Sequence, residues 1–190
     1  MNRVCHTAAL HRNHKKRANR EKSFAAPAVF VLREDANKRR FMAKAQLINR
    51  RFLNELSAQA KASSRSRKNY NLHASDNDLC HRLFNAVEPG TYIQPHFHAD
   101  SAKDETVVMI RGRMALVVFD ENGRPKDTAF LEAGGENVGV NVPHCVFHTF
   151  VALETGTIFF ESKAGPYRPL ASTEKASWAP GEDSPEAASY

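Results

Sequence analysis

Cysteine is scarce in this chain of 190 residues: three stand far apart, at Cys5, Cys80 and Cys145. An odd, unclustered set supplies neither a disulfide framework nor a thiolate zinc site, and it fits a reducing, cytoplasmic compartment. Long apolar runs are missing too. No stretch approaches the roughly 20 apolar residues of a membrane helix, so no membrane partner is expected. The nearest imitation of an export signal is SFAAPAVFVL, residues 23–32, behind the basic HRNHKKRANREK. Pro27 interrupts it, and Arg33, Glu34 and Asp35 stand where a small-residue cleavage site would be needed. Positive charge is also lacking where the chain is expected to fold. Residues 1–41 hold 11 Lys and Arg against 3 Asp and Glu; of the totals of 27 and 21, that leaves 16 against 18 for residues 42–190. The net charge of +6 therefore belongs to a basic extension, residues 1–41, expected to be disordered. Nucleic acid is not an expected partner of the folded part. Met42, where the composition changes, is a candidate true start of the protein, which the intact mass of natively made protein would test.

The remainder reads as one domain. In AKAQLINRRFLNELSAQAKA, residues 43–62, Leu47, Ile48, Phe52, Leu53 and Leu56 recur at helical spacing with polar residues between them. SSRSRKNYNLH, residues 63–73, is an extended or irregular linker, so residues 42–75 form a helix and linker packing on the β-rich remainder of the chain. Arg65, Arg67 and Lys68 there are either a solvated loop or an anion-binding rim. Short β-rich segments occupy 79–87, 91–98, 106–110, 114–119, 128–131, 138–142, 148–153 and 157–162. Asn122-Gly123 is the clearest hairpin signal among the intervening turns. No helices of crossover length alternate with these strands, which excludes a parallel sheet and leaves an antiparallel sandwich or barrel. Residues 182–190 read as a disordered tail; Tyr167 and Trp178 are expected to anchor the segment before it.

The chemistry concentrates in GTYIQPHFHADSAKDETVVMIRG, residues 90–112. On a strand, His96 and His98 leave the same face with their imidazoles side by side. Glu105 comes seven residues after His98, and His148 lies on a later strand. Three histidines and a glutamate form a mixed nitrogen and oxygen set that suits one divalent ion, with Fe, Zn, Mn and Ni not distinguished. An ion preferring five or six ligands keeps positions open for a small molecule. His73, His81, Arg82, Arg111 and Tyr92 are candidates to line the pocket, His81 and Arg82 alternating so that at most one points inward. His81 and Glu161 are the spare titratable groups for proton transfer.

At these residues the sequence resembles the cupin superfamily. Gly90, five residues, His96, His98, Glu105, six residues and Gly112 match its first motif, except that six residues separate His98 from Glu105 where three or four are usual. The excess, ADSAKD, reads as an enlarged loop that returns the strand to register. In the second motif Pro143 and His148 keep their offset, while Cys145 stands where glycine is common and Ala152 where asparagine is common. Cys145 is expected to be a small buried residue. The initial helix, RLFNAVEPGTYIQPHFH, GTIFFESKAGPY and the closing WAP further resemble the WbuC-type cupin fold metalloproteins, over about residues 45–181. The resemblance implies an all-β protein with an N-terminal helix, an antiparallel double-stranded β-helix (cupin or jelly-roll) barrel over residues 76–181. It also implies a bacterial metal-binding protein of unsettled reaction, in genomic association with surface-polysaccharide genes, and a possible homodimer. Two functions are consistent with it: a metal-dependent enzyme on a small polar molecule such as a sugar or sugar nucleotide, or a non-catalytic binding or sensing module.

Overall fold

The structure, a computed structural model, describes residues 45–190; the basic extension 1–41 with Cys5, and the candidate start at Met42, lie outside the described residues. The chain divides into Met1–Gln46 and Leu47–Tyr190, and every element below belongs to the second unit. Helix α1 spans Arg50–Ala62, and its first turn is closed by Asn49, whose side-chain oxygen accepts the Phe52 N–H at 3.0 Å. That cap explains a shorter helix than the apolar pattern predicts. Leu47 and Ile48 lie ahead of it and are 61% and 40% exposed. No helix among the described residues is long and apolar enough to cross a membrane.

Eight strands complete the fold: β1 Arg67–Asn71, β2 Cys80–Val87, β3 Glu105–Arg111, β4 Arg113–Phe119, β5 Pro125–Glu132, β6 Gly139–Val142, β7 His148–Ala152 and β8 Thr157–Ala164. They form two antiparallel sheets, β1-β2-β8-β3-β6 and β5-β4-β7. The arrangement is compatible with a jelly-roll, although the described residues form two separate sheets where a closed barrel was expected. Gly112 makes the corner at which the chain leaves one sheet for the other. Its φ is +76°, and a Cβ there would stand 2.5 Å from Thr157 Oγ1. The predicted hairpin turn at Asn122-Gly123 is present, with Asp120 accepting the Asn122 and Arg124 N–H groups at 2.9 Å.

Residues 91–98 are not the regular strand expected. Pro95 has no N–H to give a ladder, and the neighbouring groups divide between two partners. His96 exchanges backbone bonds with His148 at 3.1 and 2.9 Å, whereas the Phe97 N–H goes to Glu174 at 2.9 Å. Thus the segment runs extended between β7 and residues 174–176.

Period-two alternation sorts the side chains. On β8, Ile158 and Phe160 join Phe84 and Ala86 of β2 beneath α1, where Leu56 and Ala60 pack on them. Phe159 faces the other way, into a core with Val107, Met109, Met114, Leu116, Leu131 and Phe150. That alternation carries Glu161 and Lys163 into the same interior, past the end of the apolar core. One end of the sandwich is therefore polar inside. The last residues are also held: Glu182 forms ion pairs with Arg65 and Arg67, and Tyr190 packs edge-on against Tyr92 with centroids 5.8 Å apart. Composition alone pointed to disorder there, because it does not reveal two arginines waiting for one carboxylate.

Candidate metal centre

The polar end gathers side chains from three places. Glu105 opens β3, His148 opens β7, and His96 comes from the extended segment beside β7. One donor atom from each lies within 4.8 Å of the other two. Two ligands about 2.1 Å from a shared ion are at most about 4.2 Å apart, so capture of an ion calls for a small inward side-chain rotation.

Both imidazoles are oriented by backbone. His96 Nδ1–H donates to the Gln94 carbonyl and His148 Nδ1–H to the Val146 carbonyl, each at 2.9 Å. A carbonyl accepts and never donates, so the proton is on Nδ1 and Nε2 carries a lone pair in each ring. His148 is 1% exposed, and its Nε2 is buried without a hydrogen-bond partner, 4.0 Å from Glu105 Oε2. Such an orphaned acceptor is costly unless something electrophilic meets it. The donor set fits a borderline divalent ion.

His98 stands differently. Its Nε2 donates to Glu105 Oε2 at 2.9 Å, and its ring centroid is 6.2 Å from that of His148. The expected four residues are thus neighbours, but three converge and His98 reaches them through the carboxylate. The His96 and His98 rings do not lie side by side; they meet edge to face at 73°, with centroids 5.3 Å apart.

The enlarged loop does return Glu105 to register. Asp100 accepts the Ala102 N–H through its side chain and the Lys103 N–H through its carbonyl, and Asp104 accepts both the N–H and Nδ1–H of His144 at 2.9 Å. Glu105 then pairs with Val142 as β3 begins.

Charge around the site is paired. Lys163 Nζ lies 2.7 Å from Glu161 Oε1 and 3.6 Å from Glu105 Oε2. Burial opposes ionisation of Glu105, but the Lys163 ammonium and the His98 hydrogen bond outweigh it and hold its carboxyl well below the usual range. Burial, then the Glu105 charge, pushes Glu161 up; Asn85 donates to its other oxygen at 2.8 Å. Burial and the neighbouring His148 lower His96 to about 4, and burial lowers His148. Sequence reasoning ended the last β segment at residue 162, one short of Lys163, and missed it. The signal was Phe159, Glu161, Lys163 at alternate positions of TIFFESKA.

Of His73, His81, Arg82, Arg111 and Tyr92, His81 alone lines the cavity in front of His96 and His98. His73 and His81 are buried and stacked at 4.0 Å; the Arg82 N–H donates to His73 Nδ1 while His81 donates to the Asp76 carbonyl. His81 points inward and Arg82 is exposed, as alternation requires. Arg111 does not face the pocket: it clamps α1 to the β7–β8 turn through Asn54 and the Gly156 carbonyl, both at 2.8 Å. Tyr92 donates to the Pro180 carbonyl, also away from the cluster. Trp178 anchors its segment against Phe119 and Phe147, whereas Tyr167 is 55% exposed at the cavity mouth. Cys145 is exposed, not buried, and has a φ of +60° with its N–H on the His98 carbonyl at 2.8 Å. Left-handed backbone is what a glycine would tolerate there.

What the fold and site define is an antiparallel two-sheet β protein with a His-Glu-His cluster able to hold a metal. A family model described as a domain of unknown function, DUF6016, matches residues 48–131, which take in His96, His98 and Glu105 but not His148. Comparison with curated proteins finds no match. Among solved structures the chain is similar to KdgF from Halomonas sp., at 16% identity over 54% of this chain and 82% of that one, with a TM-score of 0.42. It is similar to a cupin-2 domain containing protein from Shewanella frigidimarina, at 17% identity over 52% and 80% of the two chains, TM-score 0.40. It is also similar to oxalate decarboxylase from Bacillus subtilis, at 20% identity over 54% of this chain and 25% of that chain, TM-score 0.41. The chain spans about a quarter of that decarboxylase.

Proposed function

We propose that this protein is a metal-dependent enzyme acting on a small polar molecule, with one divalent ion held by His96, Glu105 and His148. The observation that carries this reading is the buried, unpartnered Nε2 of His148 aimed at the Glu105 carboxylate. When bound, the ion supplies Lewis acidity and open coordination positions. The chain's own residues prepare the place for it. Gln94 and Val146 fix the two imidazoles as neutral ligands, and Lys163 keeps Glu105 ionised. His98 would join as a fourth ligand once its Nε2 proton had shifted to Nδ1, which would replace the hydrogen bond to Glu105 with a free lone pair. Glu161 remains outside the ligand set as a group able to hold or release a proton. The fold that goes with this reading is a cupin-type double-stranded β-helix of the WbuC kind, working in the cytoplasm. A sugar or sugar nucleotide as substrate, and a homodimer, are parts of the same proposal.

A non-catalytic binding module is the second reading. It is favoured by the commitment of Arg111 and Tyr92 to structural bonds, which leaves few polar groups for chemistry.

Metal analysis of protein from its native source tests the first claim. His96→Ala and His148→Ala are expected to lose the metal, and undiminished content in both would overturn the centre. Glu105→Ala retaining full metal would remove the carboxylate from the ligand set. Glu161→Gln separates the readings: an enzyme keeps its metal and loses turnover by about 10²–10⁴-fold, whereas a binding module keeps both metal and ligand affinity.

A further inference from the structure

We propose that the cavity in front of His96 and His98 is an anion site, and that its ligand is a small molecule carrying a carboxylate or phosphate group. This names the substrate class for the metal centre and rests on that reading. The cavity has a volume of about 180 Å³, with His96, His98, Lys103, Lys163, Tyr167 and Arg168 in its wall. It is small beside the roughly 300–1,000 Å³ typical of larger ligands. No aspartate or glutamate lines it.

The cations differ in what they already hold. Lys163 is engaged by Glu161 and Glu105. Lys103 and Arg168 have no carboxylate within 4.0 Å among the described residues. Glu174, which feels the charge of Lys103, is itself engaged by the Ala99 and Ala171 N–H groups at 2.8 Å. Two unanswered cations, one from the loop after His98 and one from the segment after β8, thus meet the same small cavity. Like charges brought together repel unless an anion lies between them, and a guanidinium offers an oxyanion paired donors.

The space on the other side of Lys163 has the opposite character. That cavity, of about 230 Å³, is lined by Asp76 and Glu161 with the carboxamides of Asn69 and Asn71. Lys163 and His81 line both spaces, so it is the two carboxylates behind, and their absence in front, that favour the front for an anionic group. The six residues between His98 and Glu105 gain a purpose, since they carry Lys103 to the mouth.

Calorimetric titration of the full-length, zinc-loaded protein at fixed ionic strength tests this with three probes sharing a three-carbon skeleton: glycerate, glycerol 3-phosphate and glycerol. Glycerate or glycerol 3-phosphate is expected to bind and glycerol is not; which charged probe binds more tightly decides between carboxylate and phosphate. The double variant Lys103→Gln/Arg168→Gln is expected to weaken that binding about tenfold or more with zinc content unchanged. Lys126→Gln, an exposed cation on the β5 strand, is expected to leave it unchanged. Equal binding of glycerol, no binding of either charged probe, unaltered affinity in the double variant, or an equal loss in Lys126→Gln each overturns the anion site. If the wild type holds no zinc, the metal reading fails separately, and the same wild-type and double-variant comparison on metal-free protein still decides this one.

Discussion

His96 and His148 enter the interior as neutral rings, and that has a cost in acid. Burial and the neighbouring His148 lower His96 to about 4, below the ordinary value near 6.5. The unfolded chain therefore takes up a proton between those values while the folded one does not. The contribution of this residue to the stability of the metal-free protein is full above about pH 6.5, falls as pH drops toward 4, and levels off below, where protonation of Glu105 adds a separate loss. Because His96 lines a cavity that water reaches, the loss from this residue is expected to be about 2 kcal/mol, less than the full shift would give. Urea unfolding of metal-free protein at pH 7 and pH 4.5, with His96→Gln as the comparison, measures it. A slope unaltered in His96→Gln would assign the pH dependence to other groups. At this scale the sequence was informative about identity and weak about role. The HxH pair, Glu105 and His148 are legible as a set, but the bond that occupies His98 depends on a carboxylate arriving from another strand. Lys163 escaped because a lysine near a chain's polar tail ordinarily lies in water.

Elements were legible to the extent that one face of each was apolar. Seven of the eight expected β segments became strands, since alternation of the kind seen in Glu105, Val107 and Met109 marks a half-buried strand. Residues 91–98 failed the rule because Pro95 denies them a ladder, and β1 went unnoticed because RKNYN shows no apolar alternation. The helix start was misplaced by an apolar pattern that begins ahead of Asn49, where the cap decides the matter. Glycine at the β3–β4 corner is an element-scale requirement. With φ at +76° and Thr157 Oγ1 2.5 Å from any added Cβ, Gly112→Ala is expected to lower stability by about 2–4 kcal/mol. Thermal unfolding of the variant checks this, and a Tm within a degree of the wild type would show that the corner yields.

Over the whole molecule, the sequence shows that residues 42–190 carry 16 cations and 18 acids, but it hides how the last residues are held. Glu182 returns to Arg65 and Arg67, on the linker after α1 and on β1, and so joins the last ten residues to the first strand. Arg67 is largely buried, so its charge is poorly served by water when the partner is removed. Glu182→Gln is expected to cost about 1 kcal/mol at low salt and less at 1 M salt. Denaturant midpoints at the two ionic strengths check the size and sign, and a salt-independent change would point to packing in place of charge.

The turn before β7 offers one more use. Cys145 presents an exposed thiol while its amide is fastened to the His98 carbonyl, three residues ahead of His148. With Cys5 and Cys80 replaced, a nitroxide attached at Cys145 would become a paramagnetic ruler for the centre. Bound Mn(II) would shorten its relaxation and Zn(II) would leave it unchanged, so the residue standing in a glycine's place would report which ion has arrived.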